Sequence, residues 1–193
     1  MNDQPFAHQR YMIRKKIFKF LGQAFHIYGP DGQVVFYSKL KVLKLKEDVR
    51  LYSGEDMADE LLAIKARQVL DISATYDVVD ARTQEKVGAI KRKGLKSFIR
   101  DEWVVLDPSD RPIGEIKEDS TVMALLRRFL SNLIPQNFDG VVNGQPVFAF
   151  KRHFNPFVLR MDMDFTPDRD GLLDRRLGIA AAVLLTAIEG RQG

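Results

Sequence analysis

The most apolar stretch of the 193-residue chain is Leu177-Gly-Ile-Ala-Ala-Ala-Val-Leu-Leu-Thr-Ala-Ile188, which follows the basic pair Arg175 and Arg176 and precedes the charged residues Glu189 and Arg191. Its twelve residues are too few for a transmembrane helix, which needs about 20. Small and aliphatic residues surround the helical axis on every side, so no polar stripe faces water. The stretch therefore predicts a helix enclosed within the domain, with a membrane-inserted helix as the alternative.

The chain before this helix repeats one unit, which is a short β-rich strand, a turn and a second strand that ends in basic residues. The clearest copy turns at Gly29-Pro30-Asp31-Gly32, where Pro at the second position and Gly at the fourth are typical of a type I turn. The units have anchor residues at spacings of 26, 25 and 27 positions, namely Phe25, Leu51, Tyr76 and Trp103. The predicted strand pairs are 24–28 with 34–41, 49–52 with 61–67, 75–80 with 86–93, 102–107 with 112–117, and 139–142 with 146–152.

Two further strands, at residues 11–18 and 157–165, bring the meander to about twelve strands. Open twisted sheets of that size curl or close, because closure hides their edges. A barrel of about twelve strands has a lumen too wide for its own side chains to fill, and the apolar helix would fill it. The predicted fold class is mainly β (α+β), a closed antiparallel barrel of about twelve strands that encloses a hydrophobic C-terminal helix.

A second helix is predicted on the surface at residues 120–133, where Ser120 can act as N-cap and apolar residues recur at helical spacing. The composition, with 45% hydrophobic and 29% charged residues, indicates one globular domain over residues 1–193 with a flexible N-terminus at residues 1–10. The absence of cysteine excludes disulfides, thiolate metal sites and cysteine nucleophiles. The N-terminus shows no signal-peptide pattern, so a cytoplasmic location is expected, with the protein at the inner membrane face if it binds lipid.

Three features carry a family resemblance: the hairpin Tyr76-Asp-Val-Val-Asp80 with Val87-Gly-Ala-Ile-Lys-Arg-Lys93, the stretch Phe154-Asn-Pro-Phe-Val-Leu-Arg-Met-Asp162, and the terminal helix. From about Tyr11 to Glu189, the chain resembles the Tubby C-terminal-like superfamily, and most closely its bacterial LURP-one-related and phospholipid scramblase-like members. The resemblance implies a twelve-stranded barrel around a central hydrophobic helix. It also implies phosphoinositide binding on a basic surface, as in Tubby proteins, or calcium-dependent lipid movement, as in scramblases.

Motifs of catalysis are missing from the sequence, which contains no GxSxG elbow, Walker loop, GxGxxG after a strand, or HExxH. We therefore predict a non-enzymatic protein with no catalytic residue and no cofactor. His26 and His153 are expected to be packed or surface side chains, and Trp103 a core anchor. Gly88 and Gly114 occupy equivalent places in two hairpins and predict barrel bends or close backbone contact rather than a phosphate loop.

The candidate binding residues are basic and form a predicted headgroup site: Lys91, Arg92, Lys93, Lys96, Arg100, Lys39 and Lys41. Further candidates for the same surface are Arg14, Lys15, Lys16, Lys44 and Lys46. Side chains among these that point outward from adjacent strands would form a positive surface, on which each Lys or Arg contributes about 1 kcal/mol toward an anionic membrane. The alternative is that lysines at strand ends protect edges and keep the barrel soluble.

The resemblance to scramblases points to an acidic segment beside the last helix, whose counterparts here are Asp162, Asp164, Asp168 and Asp170. An EF-hand register fails, because Thr166 and Leu177 occupy positions where the loop requires carboxylates. A looser calcium site is one reading of these carboxylates. The other is a solvated strand edge followed by acids at a helix N-terminus.

The function predicted from the sequence is a binding module that holds anionic phospholipid or phosphoinositide headgroups, or an acidic protein, on a basic barrel face. No nucleic-acid partner is expected, because an RNP-type aromatic signature and a recognition helix are both missing. The alternatives are a scramblase-like membrane protein whose terminal helix enters the bilayer, a protein-interaction scaffold, and an enzyme acting at the barrel mouth. The sequence does not indicate the oligomeric state.

Overall fold

The computed structural model describes residues 4–18, 22–40, 48–67, 74–93, 102–118, 137–153 and 158–189. Within these residues the chain forms twelve β-strands and one α-helix, α1, over Arg175–Glu189. The strands are β1 (Arg10–Phe18), β2 (Gly22–Tyr28), β3 (Val34–Leu40), β4 (Asp48–Tyr52), β5 (Glu60–Ala66), β6 (Thr75–Asp80), β7 (Lys86–Arg92), β8 (Glu102–Leu106), β9 (Pro112–Glu118), β10 (Asn137–Val142), β11 (Gln145–His153) and β12 (Leu159–Asp164).

The strands form one closed antiparallel barrel, in which each strand pairs with its neighbours along the chain. The ring closes where β1 pairs with β12, with Arg10 opposite Asp164. Side chains alternate between the two faces of the wall, so that Met161 and Met163 of β12 are buried while Arg160 is exposed. The predicted fold class is confirmed, and the predicted strand ends agree with the observed ends within two residues.

The hairpins have the turn chemistry that their sequences indicate. In the first hairpin the Gly32 amide donates to the Gly29 carbonyl oxygen at 3.1 Å. Gly32 has a φ of 78°, a left-handed conformation that glycine adopts without strain. A β-bulge follows in the ladder between Ile27 and Tyr28. The turns at residues 29–33, 53–59, 81–85, 107–111 and 143–144 all lie at one end of the barrel, which we call the hairpin end.

Helix α1 occupies the interior of the barrel. Every residue from Leu177 to Ala187 is buried, over three turns of helix, so strands cover the helix on all sides. Gly178 allows close packing, because a Cβ there would lie 2.3 Å from Cε1 of Phe165. The prediction of an enclosed terminal helix is therefore confirmed.

Three side chains fix the start of α1 at the hairpin end. The buried carboxylate of Asp168 accepts the backbone N–H groups of Leu172 at 2.8 Å and Leu173 at 3.2 Å. One guanidinium nitrogen of Arg176 lies 2.7 Å from Oδ2 of Asp80, which ends β6. These contacts hold the connection between β12 and the helix against the barrel mouth.

The N-terminal segment expected to be flexible contacts the barrel in part. Gln4–Phe6 form a 3-10 turn, and the ring centroid of Phe6 lies 4.8 Å from that of Phe36. The hydroxyl of Tyr11 donates to the carbonyl oxygen of Pro5 at 2.9 Å. The amphipathic surface helix predicted at residues 120–133 lies outside the described residues.

Candidate functional site

The three consecutive basic residues predicted as the centre of the binding site have different environments on β7. Lys91 is exposed. Arg92 is opposite the buried Trp103 in the ladder, and its guanidinium carbon lies 5.8 Å from the centroid of that ring. The Lys93 ammonium pairs with Glu102 at 3.1 Å and with Glu115 at 3.4 Å. Lys91 is therefore the member of this group whose side chain is most open to solvent.

The remaining candidates that the structure describes are also a mixture of exposed and buried side chains. Lys39 is exposed on β3, as Arg14 and Lys16 are on β1. Lys15 is not among the candidates that point outward, because its side chain points into the barrel and its ammonium donates to the Thr186 carbonyl oxygen at 3.1 Å. This position near the C-terminal end of α1 places a cation against the negative end of the helix dipole. The other candidates lie outside the described residues: Lys41, Lys44, Lys46, Lys96 and Arg100.

The strand register brings exposed basic residues together on another part of the wall, the outer face of β11, β12, β1, β2 and β3. Arg14 on β1 is directly opposite Arg160 on β12. Lys16 and Lys39 flank the small residue Ala24, so they lie on either side of β2. We call this group the basic strip, which consists of Arg14, Lys16, Lys39, Lys151 and Arg160.

Two contacts orient the guanidinium groups at the centre of the basic strip. The guanidinium carbon of Arg14 lies 5.4 Å from the ring centroid of Tyr28, a distance typical of a cation–π contact. Arg160 donates from Nε to Oδ1 of Asp162 at 3.1 Å, which compensates part of its charge. Within the described part of the chain, Arg14 forms no ion pair.

Histidine–carboxylate pairs lie on both sides of the two arginines. His153 is opposite Arg160, and its Nε2 lies 2.7 Å from Oδ2 of Asp162. His26 is opposite Arg14, and its Nε2 lies 2.7 Å from Oε1 of Glu55, which belongs to the turn between β4 and β5. Both rings were expected to be packed or surface side chains, and both do lie on the outer face of the wall.

Tyrosine rings pack beside His26. The Tyr37 ring meets the His26 ring edge-on, with centroids 5.0 Å apart, and the Tyr28 ring stacks near it with centroids 6.3 Å apart. Burial and the nearby Glu55 carboxylate raise the pKa of Tyr37 above its ordinary value. Tyr37 is therefore a neutral hydrogen-bonding group at physiological pH.

Lys151, His153 and Arg160 were not predicted as site residues. Barrel closure, which was predicted, is the signal that could have indicated Arg160. Closure of a meander makes the first and last strands neighbours. Pairing residues 11–18 with residues 157–165 in antiparallel order brings the basic residues of both strands onto adjacent positions. The exact partner of Arg14 depends on the register, which the sequence does not specify.

The four acidic residues considered for calcium binding have different partners and surroundings. Asp164 accepts from the backbone N–H and the hydroxyl of Thr166 at 2.8 and 2.6 Å, and Asp168 accepts the amides that precede α1. Asp162 pairs with His153 and Arg160 on the outer wall, and Asp170 is exposed. Among the described residues, no group of three or more His, Cys, Asp or Glu side chains could hold a metal ion.

The predictions of glycine contact are confirmed for both hairpins. A Cβ on Gly88 would lie 2.4 Å from the carbonyl oxygen of Leu106, and one on Gly114 would lie 2.3 Å from that of Val141. Trp103 is fully buried, as expected of a core anchor. The two glycines thus serve strand packing and belong to no binding loop.

The barrel fold also occurs in a plant protein of known structure. No family model and no curated protein matches the chain. An X-ray structure of a protein from Arabidopsis thaliana is similar over 99% of both chains, with a TM-score of 0.54 and 13% sequence identity. At this level of identity the likeness shows a common barrel architecture. In the portion of the chain that is described, no helix has the length and apolar character needed to cross a bilayer.

Proposed function

We propose that the protein is a non-enzymatic module that binds the anionic headgroups of phospholipids, including phosphoinositides, on the basic strip. The observation that carries the proposal is the position of Arg14 directly opposite Arg160. Like charges on opposed positions of an antiparallel pair destabilise a sheet. A phosphate group bound between them would turn this repulsion into two charge-assisted contacts.

The size and composition of the basic strip also support headgroup binding. Its five basic side chains lie on β11, β12, β1 and β3, within five consecutive strands of the wall, so an anionic surface could contact several of them together. At about 1 kcal/mol for each Lys or Arg, this is enough for reversible peripheral binding. The resemblance to the Tubby C-terminal-like superfamily, whose Tubby members bind phosphoinositides on a basic surface, adds to the proposal.

Flotation with lipid vesicles tests the proposal. The protein should float with vesicles that contain phosphatidylglycerol, should remain unbound with pure phosphatidylcholine, and should dissociate as salt screens the charges. Neutralising three charges in the triple variant Arg14→Gln, Lys16→Gln, Arg160→Gln should lower the partition coefficient on the order of 100-fold, at about 1 kcal/mol per charge.

The matched control is the triple variant Lys65→Gln, Arg82→Gln, Lys91→Gln, which removes the same charge from exposed residues of β5, of β7 and of the turn between β6 and β7. Its partition coefficient should stay within about threefold of the wild-type value if binding is local to the basic strip. Equal losses in both variants would overturn the assignment to the strip. A loss confined to the control would favour the surface around Lys91 that the sequence indicates.

The same assay separates the scramblase-like alternative. Insertion of the terminal helix would make binding resistant to high salt, because the contact would be apolar. In the structure, the barrel wall covers Leu177 to Ala187, so insertion would require the helix to leave its central position. Absence of binding to any vesicle would leave an acidic protein as the partner of the basic strip.

A further inference from the structure

The two central arginines of the basic strip lie between two histidines in one row across the outer wall. The order along this row is His153, Arg160, Arg14 and His26, on β11, β12, β1 and β2. Each histidine has a carboxylate oxygen 2.7 Å from its Nε2. Imidazole is the side chain that ordinarily changes charge between pH 5 and 8, and a proton on either ring would add a positive charge to this row.

His153 is partly open to solvent, with 37% of its side chain exposed. The charged groups near it are Asp162 and Arg160 on β12 and Lys151 on its own strand. Asp162 is shared, because it also accepts from Arg160. Protonation of His153 would supply a positive partner to this carboxylate and leave the Arg160 guanidinium more available to an external anion.

His26 is buried by its neighbours. Glu55 faces it from the turn between β4 and β5, Arg14 from β1, Tyr37 from β3 and Tyr28 from its own strand. Among the residues that the structure describes, none forms a hydrogen bond with its buried Nδ1. The Glu55 carboxylate, which is largely exposed, thus brings a negative charge to the edge of the row unless His26 carries a proton.

We propose that these two histidine–carboxylate pairs make anion binding by the basic strip stronger in mildly acidic solution than at neutral pH. The inference rests on the proposed function and specifies its regulation. With neutral histidines, the five basic side chains and the carboxylates of Glu55 and Asp162 give the region a charge of +3, and protonation of both rings raises it to +5. The basic residues alone would give no such change, since Lys and Arg stay charged throughout this range.

The experiment is flotation with phosphatidylglycerol vesicles, whose phosphate stays ionised at about pH 7.5 and at about pH 5.5, one above and one below the ordinary imidazole pKa of about 6.5. Two extra charges at about 1 kcal/mol each would raise the wild-type partition coefficient roughly 30-fold at the lower pH. We call the rise in partition coefficient from about pH 7.5 to about pH 5.5 the acid gain. The His153→Gln variant should bind as the wild type does at about pH 7.5, and its acid gain should be about fivefold smaller.

Glu55→Gln tests the His26 side without altering a buried ring. It removes one negative charge, so binding at about pH 7.5 should rise about fivefold and the acid gain should shrink. His8→Gln is the matched control, because His8 packs edge-on against Tyr11 and lies outside the row. Its acid gain should equal that of the wild type.

Equal wild-type binding at both pH values would overturn this inference and leave the proposed function intact. An acid gain that is the same in the wild type, His153→Gln and Glu55→Gln would also overturn it, because the gain would then arise elsewhere in the protein. Absence of vesicle binding at either pH would overturn the proposed function and this inference together.

Discussion

Gly114 of β9 lies in close contact with the backbone of the adjacent strand β10. A Cβ at this position would lie 2.3 Å from the carbonyl oxygen of Val141 and 2.8 Å from a methyl group of Val142. The neighbour is backbone in the adjacent strand, so it cannot rotate away. The absence of a side chain at this residue is therefore a requirement of strand pairing between β9 and β10.

We expect Gly114→Ala to lower the free energy of unfolding by about 1–3 kcal/mol, because the added methyl group overpacks this contact. Urea unfolding followed by Trp103 fluorescence measures the change, since Trp103 is the single tryptophan and is fully buried. Gly54→Ala is the control, because a Cβ there has one polar neighbour in an exposed turn, at 3.2 Å. Its effect should stay within about 0.5 kcal/mol, and equal effects of both substitutions would contradict the assignment.

Residues 14–16 show why the site could be predicted only in part. Arg14 and Lys16 are exposed and Lys15 is buried. Along β1 both faces carry apolar residues, with Tyr11 on one and Met12 on the other, so the period-two pattern does not settle which basic residues point outward. A shift of one residue exchanges the faces of a strand. The orientation is set by the register against β2 and β12, which depends on contacts distant in the sequence.

At the scale of elements, α1 is the core around which the strands pack. Its residues Ile179, Ala180, Ala182 and Val183 are fully buried, so side chains on successive sides of the helix all contact the barrel wall. This arrangement was predictable, because a helix without a polar stripe must be covered and a twelve-stranded barrel must be filled. The hairpins were predictable for a similar reason, since turn residues and alternation are local signals.

Leu184→Ala should lower the free energy of unfolding by about 2–5 kcal/mol, the range for removal of a buried leucine side chain that leaves a cavity. The wall is closed by hydrogen bonds between all neighbouring strands, so it can collapse only slightly onto the vacant volume. Thermal and urea unfolding measure the loss.

Met57→Ala provides the comparison for Leu184→Ala, because Met57 is exposed in a turn at the hairpin end. This substitution should change the unfolding free energy by less than about 0.5 kcal/mol. A small effect of Leu184→Ala, equal to that of Met57→Ala, would mean that the helix is not enclosed in solution.

At the scale of the whole molecule, carboxylates on the outer wall link stability to pH. Burial acts to raise the pKa of Asp77, but hydrogen bonds from Arg67 and Lys86 outweigh it and hold the pKa below its ordinary value. Hydrogen bonds from the same two cations lower the pKa of Asp110. This network joins Arg67, which follows β5, with β6, β7 and the turn between β8 and β9.

A carboxyl group with a lowered folded-state pKa takes up protons more readily in the unfolded chain, so its stabilisation is present above the unfolded pKa of about 4 and is lost as pH falls through the folded value. We therefore expect the contribution of these carboxylates to the urea midpoint to be constant above about pH 5 and to be lost steeply below about pH 4. Asp77→Asn should reduce the size of this fall.

Asp170→Asn is the control for the acid series, since Asp170 is exposed beyond the barrel wall. Its acid profile should match that of the wild type. An unchanged profile in Asp77→Asn, or a midpoint that rises below about pH 4, would contradict the role assigned to the ion-pair network.

The order of elements along the chain determines how the barrel can be completed during biosynthesis. Arg10 and Asp164, which meet where the ring closes, are 154 positions apart, and the helix that fills the ring is translated after every strand. Native pairing over such separations is slow relative to local hairpin formation. Hairpins can form while the nascent chain is still emerging, but the ring and its centre must assemble together once α1 has left the ribosome.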